Sequence, residues 1–174
     1  GQSTVSHLAQ AQPEYRDVSL PYSVKAGENV EISGNTLTVK KASSKITLDF
    51  NCPAGNELYV QFSGLEFESH SKYDYLTEEE SEKMSAYDRR TMERSLCYWQ
   101  EADTAIITAQ CSKVSASVRR YTTQNIYSHG RKDYLLNLNY SDKERNTLTI
   151  TFDQPGVYTF DELSVISQPV DMLE

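Results

Sequence analysis

The stretch Ile46–Phe62, ITLDFNCPAGNELYVQF, decides the fold. Ile46, Leu48 and Phe50 fall at every second position, and so do Leu58, Val60 and Phe62. Side chains two apart share one face of a strand, so each run reads as a half-buried β-strand. Between them, Asn51-Cys52-Pro53-Ala54-Gly55-Asn56 is a cluster of turn-forming residues that ends the first strand.

The same alternation spreads outward in both directions. Upstream, Val18 and Leu20 run into Pro21, and Val30 and Ile32 precede Ser33-Gly34-Asn35, with Leu37 and Val39 beyond. A Gly-Asn junction between two alternating runs predicts a hairpin. Downstream, strands are expected over 104–109, over 113–119 through Val114, Ala116 and Val118, and over 134–138. They continue at Leu148, Ile150 and Phe152 and over 157–166, with Asp153-Gln154-Pro155-Gly156 as a turn. Two runs change parity. Beyond Gly64 the apolar set becomes Leu65 and Phe67, and Tyr158 and Phe160 give way to Leu163 and Val165 at Asp161-Glu162. Such a switch predicts a bulge or a bend.

Residues 76–99 break the pattern. They are rich in Glu, Lys, Arg and Met, which favour helix, and lack β-branched runs. Thr77 with Glu80 matches a capping box, and Met92, Leu96 and Trp99 share one helical face. One inserted helix around residues 77–99 is therefore expected. Nine or ten short strands with this insertion predict an all-β, jelly-roll-like β-sandwich. A doubly wound sheet would need a helix after nearly every strand. The domain is expected over 14–168 with its insertion at about 76–100, after a linker or tag remnant at 1–13 and before a tail at 169–174. The chain thus reads as an excised piece of a larger protein.

A length of 174 residues can bury a core without staples. With 17 basic and 25 acidic residues the net charge is −8, which argues against nucleic acid and against docking on anionic lipid. No apolar run approaches the roughly 18 residues that span a bilayer, so this fragment is not expected to insert into a membrane. Cys52, Cys97 and Cys111 fit neither a disulfide framework nor a metal knuckle. A Cys97–Cys111 bridge and buried thiols both remain open at this point.

Signatures of catalysis are missing. The chain has no GxSxG, no phosphate-cradling glycine loop and no HExxH, and His7, His70 and His129 stand far apart. No cofactor or metal is expected. Glu66 and Glu68, two apart, are the one carboxylate pair to weigh for glycoside cleavage; a solvated strand end explains them better. Binding is the better prospect. Tyr73, Tyr75, Tyr87, Tyr98 and Trp99 cluster around the insertion, and aromatic faces beside polar groups suit sugar rings. The loop 129–133, with His129, Arg131 and Asp133, adds hydrogen-bonding groups of both signs. Tyr73, Tyr75, Trp99, His129, Arg131 and Asp133 are accordingly the candidate binding residues.

Three segments carry a family resemblance: Ile126–Tyr140 (IYSHGRKDYLLNLNY), Thr147–Phe152 (TLTITF) and Gly156–Val165 (GVYTFDELSV). In this order, with Glu57–Leu65 (ELYVQFSGL) upstream, they resemble the extracytoplasmic region of the YfhO family of bacterial membrane proteins. Asn139 departs from the glycine that the family favours after Asn-Leu; asparagine tolerates a left-handed backbone, so a turn there is compatible with it. The resemblance implies a parent with many transmembrane helices, similar to glycosyltransferases that use lipid-linked sugars, on the outer face of the cell membrane of a Gram-positive-type bacterium. It implies as partners the rest of that parent and a glycan or cell-wall polymer, and it brings no catalytic residue to this chain. A secreted carbohydrate-binding or adhesive jelly roll is the alternative.

Overall fold

The computed structural model of the chain describes residues 18–71, 73–97, 104–111, 114–121, 133–141 and 143–169. The strands are β1 (Val18–Leu20), β2 (Tyr22–Ala26), β3 (Val30–Ser33), β4 (Thr36–Val39), β5 (Ser44–Asn51), β6 (Glu57–Ser63) and β7 (Glu66–Ser69). Helices α1 (Glu78–Glu82) and α2 (Ala86–Cys97) follow. The chain then returns to strands: β8 (Thr104–Cys111), β9 (Val114–Tyr121), β10 (Tyr134–Tyr140), β11 (Arg145–Phe152), β12 (Gly156–Thr159) and β13 (Glu162–Gln168).

Five strands form one antiparallel sheet in the order β2-β5-β11-β8-β9. The remaining strands group as β1-β13-β6-β10 and β3-β4-β12-β7. These two groups are arms of one bent sheet. β6 pairs with β13 from Glu57↔Gln168 to Ser63↔Glu162, and β7 pairs with β12 from Glu66↔Thr159 to Ser69↔Gly156, with no slip of register between them. The two parity switches of the sequence therefore lie opposite each other, at one shared bend. There the Asp161 N–H donates to Ser63 O at 2.8 Å, the Gly64 N–H donates to Asp133 Oδ1 at 2.8 Å, and Gly64 takes φ +64°. A left-handed backbone at this point is why glycine stands here.

A third break separates β1 from β2 at Pro21, which has no N–H to give a ladder. β1 pairs with β13 and β2 with β5, so the chain changes sheets at the proline. With each interrupted strand counted once, the thirteen segments among the described residues become ten, in line with the nine or ten that the alternation predicts.

The core lies between the sheets. Leu48, Val60, Phe62, Phe67, Ile107, Leu148, Ile150, Phe152 and Tyr158 are all fully buried. Tyr158 joins the layers: its ring meets Phe67 on β7 at 4.8 Å and Phe152 on β11 at 4.7 Å between centroids. Its hydroxyl donates to Gln154 O at 2.8 Å, which satisfies the one polar atom carried inward. The fold is the all-β jelly-roll-like sandwich that the alternation predicts.

Two details differ from the sequence reading. The single helix expected at 77–99 is two helices. Thr77 caps α1 with the capping box that the sequence shows, but Ser85 Oγ then accepts from the Asp88 N–H at 3.0 Å and starts a second helix. Serine competes for backbone donors in this way, so it ends one helix by beginning another. Asn139, compatible with a turn in sequence, lies inside β10 instead. The pairing of β10 with β6 steps from Asn137↔Tyr59 to Tyr140↔Glu57, so one extra residue is absorbed as a bulge. Cys52 and Cys111 are buried thiols, whereas the side chain of Cys97 lies outside the described residues.

Candidate functional site

The outer face of the β3-β4-β12-β7 arm carries acidic and hydroxyl side chains in register. Register places Glu31, Thr38, Val157 and Glu68 in one row across it, with Ser33, Thr36, Thr159 and Glu66 in the next. Glu66 and Glu68 do share a face, as their spacing predicts, because their neighbours Phe67 and Ser69 are buried. That face is open, and Glu68 is 72% exposed.

At the end of β7 the chain folds back on itself. The Asp74 N–H donates to Ser71 O at 3.0 Å, while the Ser71 N–H donates to Asp74 Oδ2 at 3.1 Å. This reciprocal turn brings Tyr75 against His70. The rings are inclined by only 16° with centroids 5.7 Å apart, and the Tyr75 hydroxyl lies in close hydrogen-bonding contact with His70 Nδ1. A phenol bonded to a ring nitrogen through its in-plane lone pair cannot also lie face-on above that ring. The two rings therefore sit edge to edge and nearly coplanar, forming one broadened plate. His70 Nε2 faces Glu68 Oε1 at 3.4 Å on the other side.

Burial raises the pKa of the Tyr75 phenol above its ordinary value, and the carboxylates of Asp74, Glu68 and Glu31 raise it further. Among the described residues, Lys40 pairs with Glu31 at 2.5 Å, Lys41 with Glu80 at 2.8 Å and Lys83 with Glu79 at 2.8 Å. The Lys41–Glu80 pair ties α1 to the loop between β4 and β5.

Of the candidate binding residues, Tyr75 lies at the plate and Tyr73 sits within the same turn, half-buried. Asp133 lies elsewhere, at the Gly64 bend, where it accepts a backbone hydrogen bond. Trp99, His129 and Arg131 lie outside the described residues, as does Tyr98. His70 enters the sequence reading only as one of three histidines standing far apart, not as a candidate binding residue. The signal for it was Ser71 and Asp74, three apart, a pair able to close a turn and bring positions 70 and 75 together.

The hollows lined by described residues include three small ones. One of about 90 Å³ opens beside β2, between Tyr22, Val24, Ile32 and Asn35. A polar one of about 220 Å³ lies between Ser23, Asp49, Asn51 and Arg145, and one of about 290 Å³ between Asn51, Cys52, Pro53 and Glu144. All fall below the roughly 300–1,000 Å³ typical of enclosed ligand pockets, and none includes Glu66 or Glu68. Among the described residues no group of three or more His, Cys, Asp or Glu side chains could hold a metal ion, and no helix is long and apolar enough to cross a membrane.

No family model matches the chain, and no curated protein matches it. Among solved structures, TmCBM61 in complex with β-1,4-galactotriose aligns over 91% of this chain and 93% of its own, at 13% identity and a TM-score of 0.42. Two structures of a family two carbohydrate esterase from Clostridium thermocellum also align. An active-site mutant does so over 86% of this chain at 8% identity and a TM-score of 0.42. A complex with cellohexaose does so over 81% at 9% identity and a TM-score of 0.39. The aligned region spans about a third of each esterase, 33% and 30%. At such identities and superpositions, none of these neighbours carries a ligand or a residue role over to this chain.

Proposed function

We propose that this chain is a non-catalytic β-sandwich module that holds a glycan on an open surface centred on His70 and Tyr75. The observation that carries this reading is the coplanar pairing of the two rings beside Glu68 and Asp74. A sugar ring offers a flat C–H face and a periphery of hydroxyls. A flat aromatic plate bordered by carboxylate acceptors complements both. An open plate also suits a polymer, which has to pass across its binding site rather than enter it.

Screening the intact chain on an immobilised glycan array tests the reading. Tyr75→Ala should weaken retention about ten-fold, the equivalent of 1.4 kcal/mol. Tyr140→Ala, at a tyrosine 53% exposed on β10, should leave it unchanged. Retention of no glycan by the intact chain would reject the proposal.

We further propose that the module is displayed on the outer face of a bacterial cell membrane, as an accessory domain of a multi-pass protein resembling glycosyltransferases that use lipid-linked sugars. The support for this attachment is the YfhO-like series of segments over residues 126–165. The parent reading frame tests it: about a dozen apolar segments of membrane-spanning length are expected upstream. A lone signal peptide in that place would leave a secreted carbohydrate-binding module instead.

A further inference from the structure

We infer that a notch at the open edge of the sandwich, between β2 and the β3–β4 hairpin, takes acetyl substituents of a glycan. The inference goes beyond the His70–Tyr75 plate, and from that reading it takes only that the ligand is a glycan.

The notch is a gap in strand pairing. β4 pairs with β12 as far as Thr159, and β1 pairs with β13 only from Val165, so among the described residues no strand pairs with 160–164 on this side. Side chains bridge the gap instead. The Tyr22 hydroxyl donates to Leu163 O at 2.7 Å and Asn35 Nδ2 donates to Asp161 O at 3.2 Å, while the Phe160 N–H donates to Asn35 O at 3.0 Å. Beneath them Leu37, Ile46 and Phe160 form a buried apolar floor. Val24 and Ile32 stand opposite the buried Leu48 and Leu37, so they point inward with them. They are nevertheless 46% and 37% exposed, because no described residue closes the edge over them.

Size decides what enters. A cavity of about 150 Å³ holds benzene, with its six heavy atoms, so about 90 Å³ suits roughly four. An acetyl group with its linking atom has that number, whereas a sugar ring is far too large. The floor meets the methyl, and the rim meets the polar end. Asn35 spends one amide hydrogen on Asp161 O and keeps the other for the acetyl carbonyl oxygen. Its Oδ1 accepts an N–H where the linkage is an amide. An alkyl group of the same size would fill the floor and leave this rim unused. Burying the methyl is worth about four-fold in affinity and one such hydrogen bond about five-fold, so roughly twenty-fold together.

The test is a heteronuclear NMR titration of the intact chain with two pairs of soluble tetramers. One pair is fully N-acetylated β-1,4-glucosamine against β-1,4-glucose; the other is O-acetylated β-1,4-xylose against its unacetylated form. Signals of Tyr22, Val24, Ile32 and Asn35 should reach half their full shift at roughly twenty-fold lower concentration with an acetylated tetramer than with its counterpart. A preference in either pair supports the inference and names the linkage. Asn35→Ala should weaken the response to the acetylated tetramer about five-fold. Val24→Trp, which covers the mouth from an exposed strand position, should remove it. Equal concentrations within both pairs overturn the inference, and so does an undiminished response in Val24→Trp. Silence of these signals, with array retention weakened in Tyr75→Ala, overturns this inference and leaves the plate standing. A preferential response at the notch, with array retention unchanged by Tyr75→Ala, sustains this inference and overturns the plate.

Discussion

Replacing Gly64 by alanine tests the bend that joins the two arms of the second sheet. A Cβ at this position would lie 2.2 Å from Asp161 Oδ2, 2.4 Å from its Cγ and 3.0 Å from its Cβ. The backbone, at φ +64°, would also carry a side chain in the left-handed region, at a cost of about 1–2 kcal/mol. Displacing Asp161 adds roughly 1–3 kcal/mol, the usual range for overpacking. Gly64→Ala should therefore destabilise the domain by about 2–5 kcal/mol, measured by chemical denaturation. Gly34→Ala provides the reference, because its φ is +57° with nothing within 4 Å of the new Cβ, so only the backbone cost remains. The double substitution Gly64→Ala with Asp161→Ala should recover the steric part and converge on the Gly34→Ala value, a coupling that a double-mutant cycle isolates. If the double variant is no more stable than Gly64→Ala, the two parity switches do not meet as described, and the unbroken β6/β7–β12/β13 ladder is wrong.

Other predictions concern the core and the insertion. Burial holds the Tyr158 phenol well above its ordinary pKa, with Asp153 adding to the rise. Above about pH 10 the unfolded chain then releases a proton that the folded one retains, so stability should fall as pH rises through that range. Urea titrations at neutral and alkaline pH should show this fall, and Tyr158→Phe should make it shallower. An unchanged pH slope in the phenylalanine variant would mean that another group titrates. Thr77→Ala removes the cap of α1, worth about 1 kcal/mol locally, and should speed amide exchange at Glu80 several-fold while sparing the core strands. Unaltered exchange would show that the helix is held by Lys41–Glu80 instead.

Most of the fold was legible because period-two alternation is dictated by a two-sided sheet. Ile46, Leu48 and Phe50 announce β5 whatever their partners are. The parity switches at Gly64 and Asp161 were visible too, but their meeting at one bend depends on register, which is a long-range property. The split of the helix turned on Ser85, whose capping role competes with the helical propensity of its neighbours. The plate was half legible. Tyr75 stood out as an aromatic beyond the regular strands, whereas His70 acquires its role only when the Ser71–Asp74 turn closes.

Heteronuclear NMR titration of the intact chain with a glycan retained on the array tests the central claim most directly. The account predicts shift changes centred on His70, Asp74, Tyr75 and the end of β7, saturating with added glycan and needing about ten-fold more glycan in Tyr75→Ala. Changes centred instead on the Tyr22–Ile32 cleft or on the outer face of the five-stranded sheet would contradict it, as would undiminished binding by Tyr75→Ala.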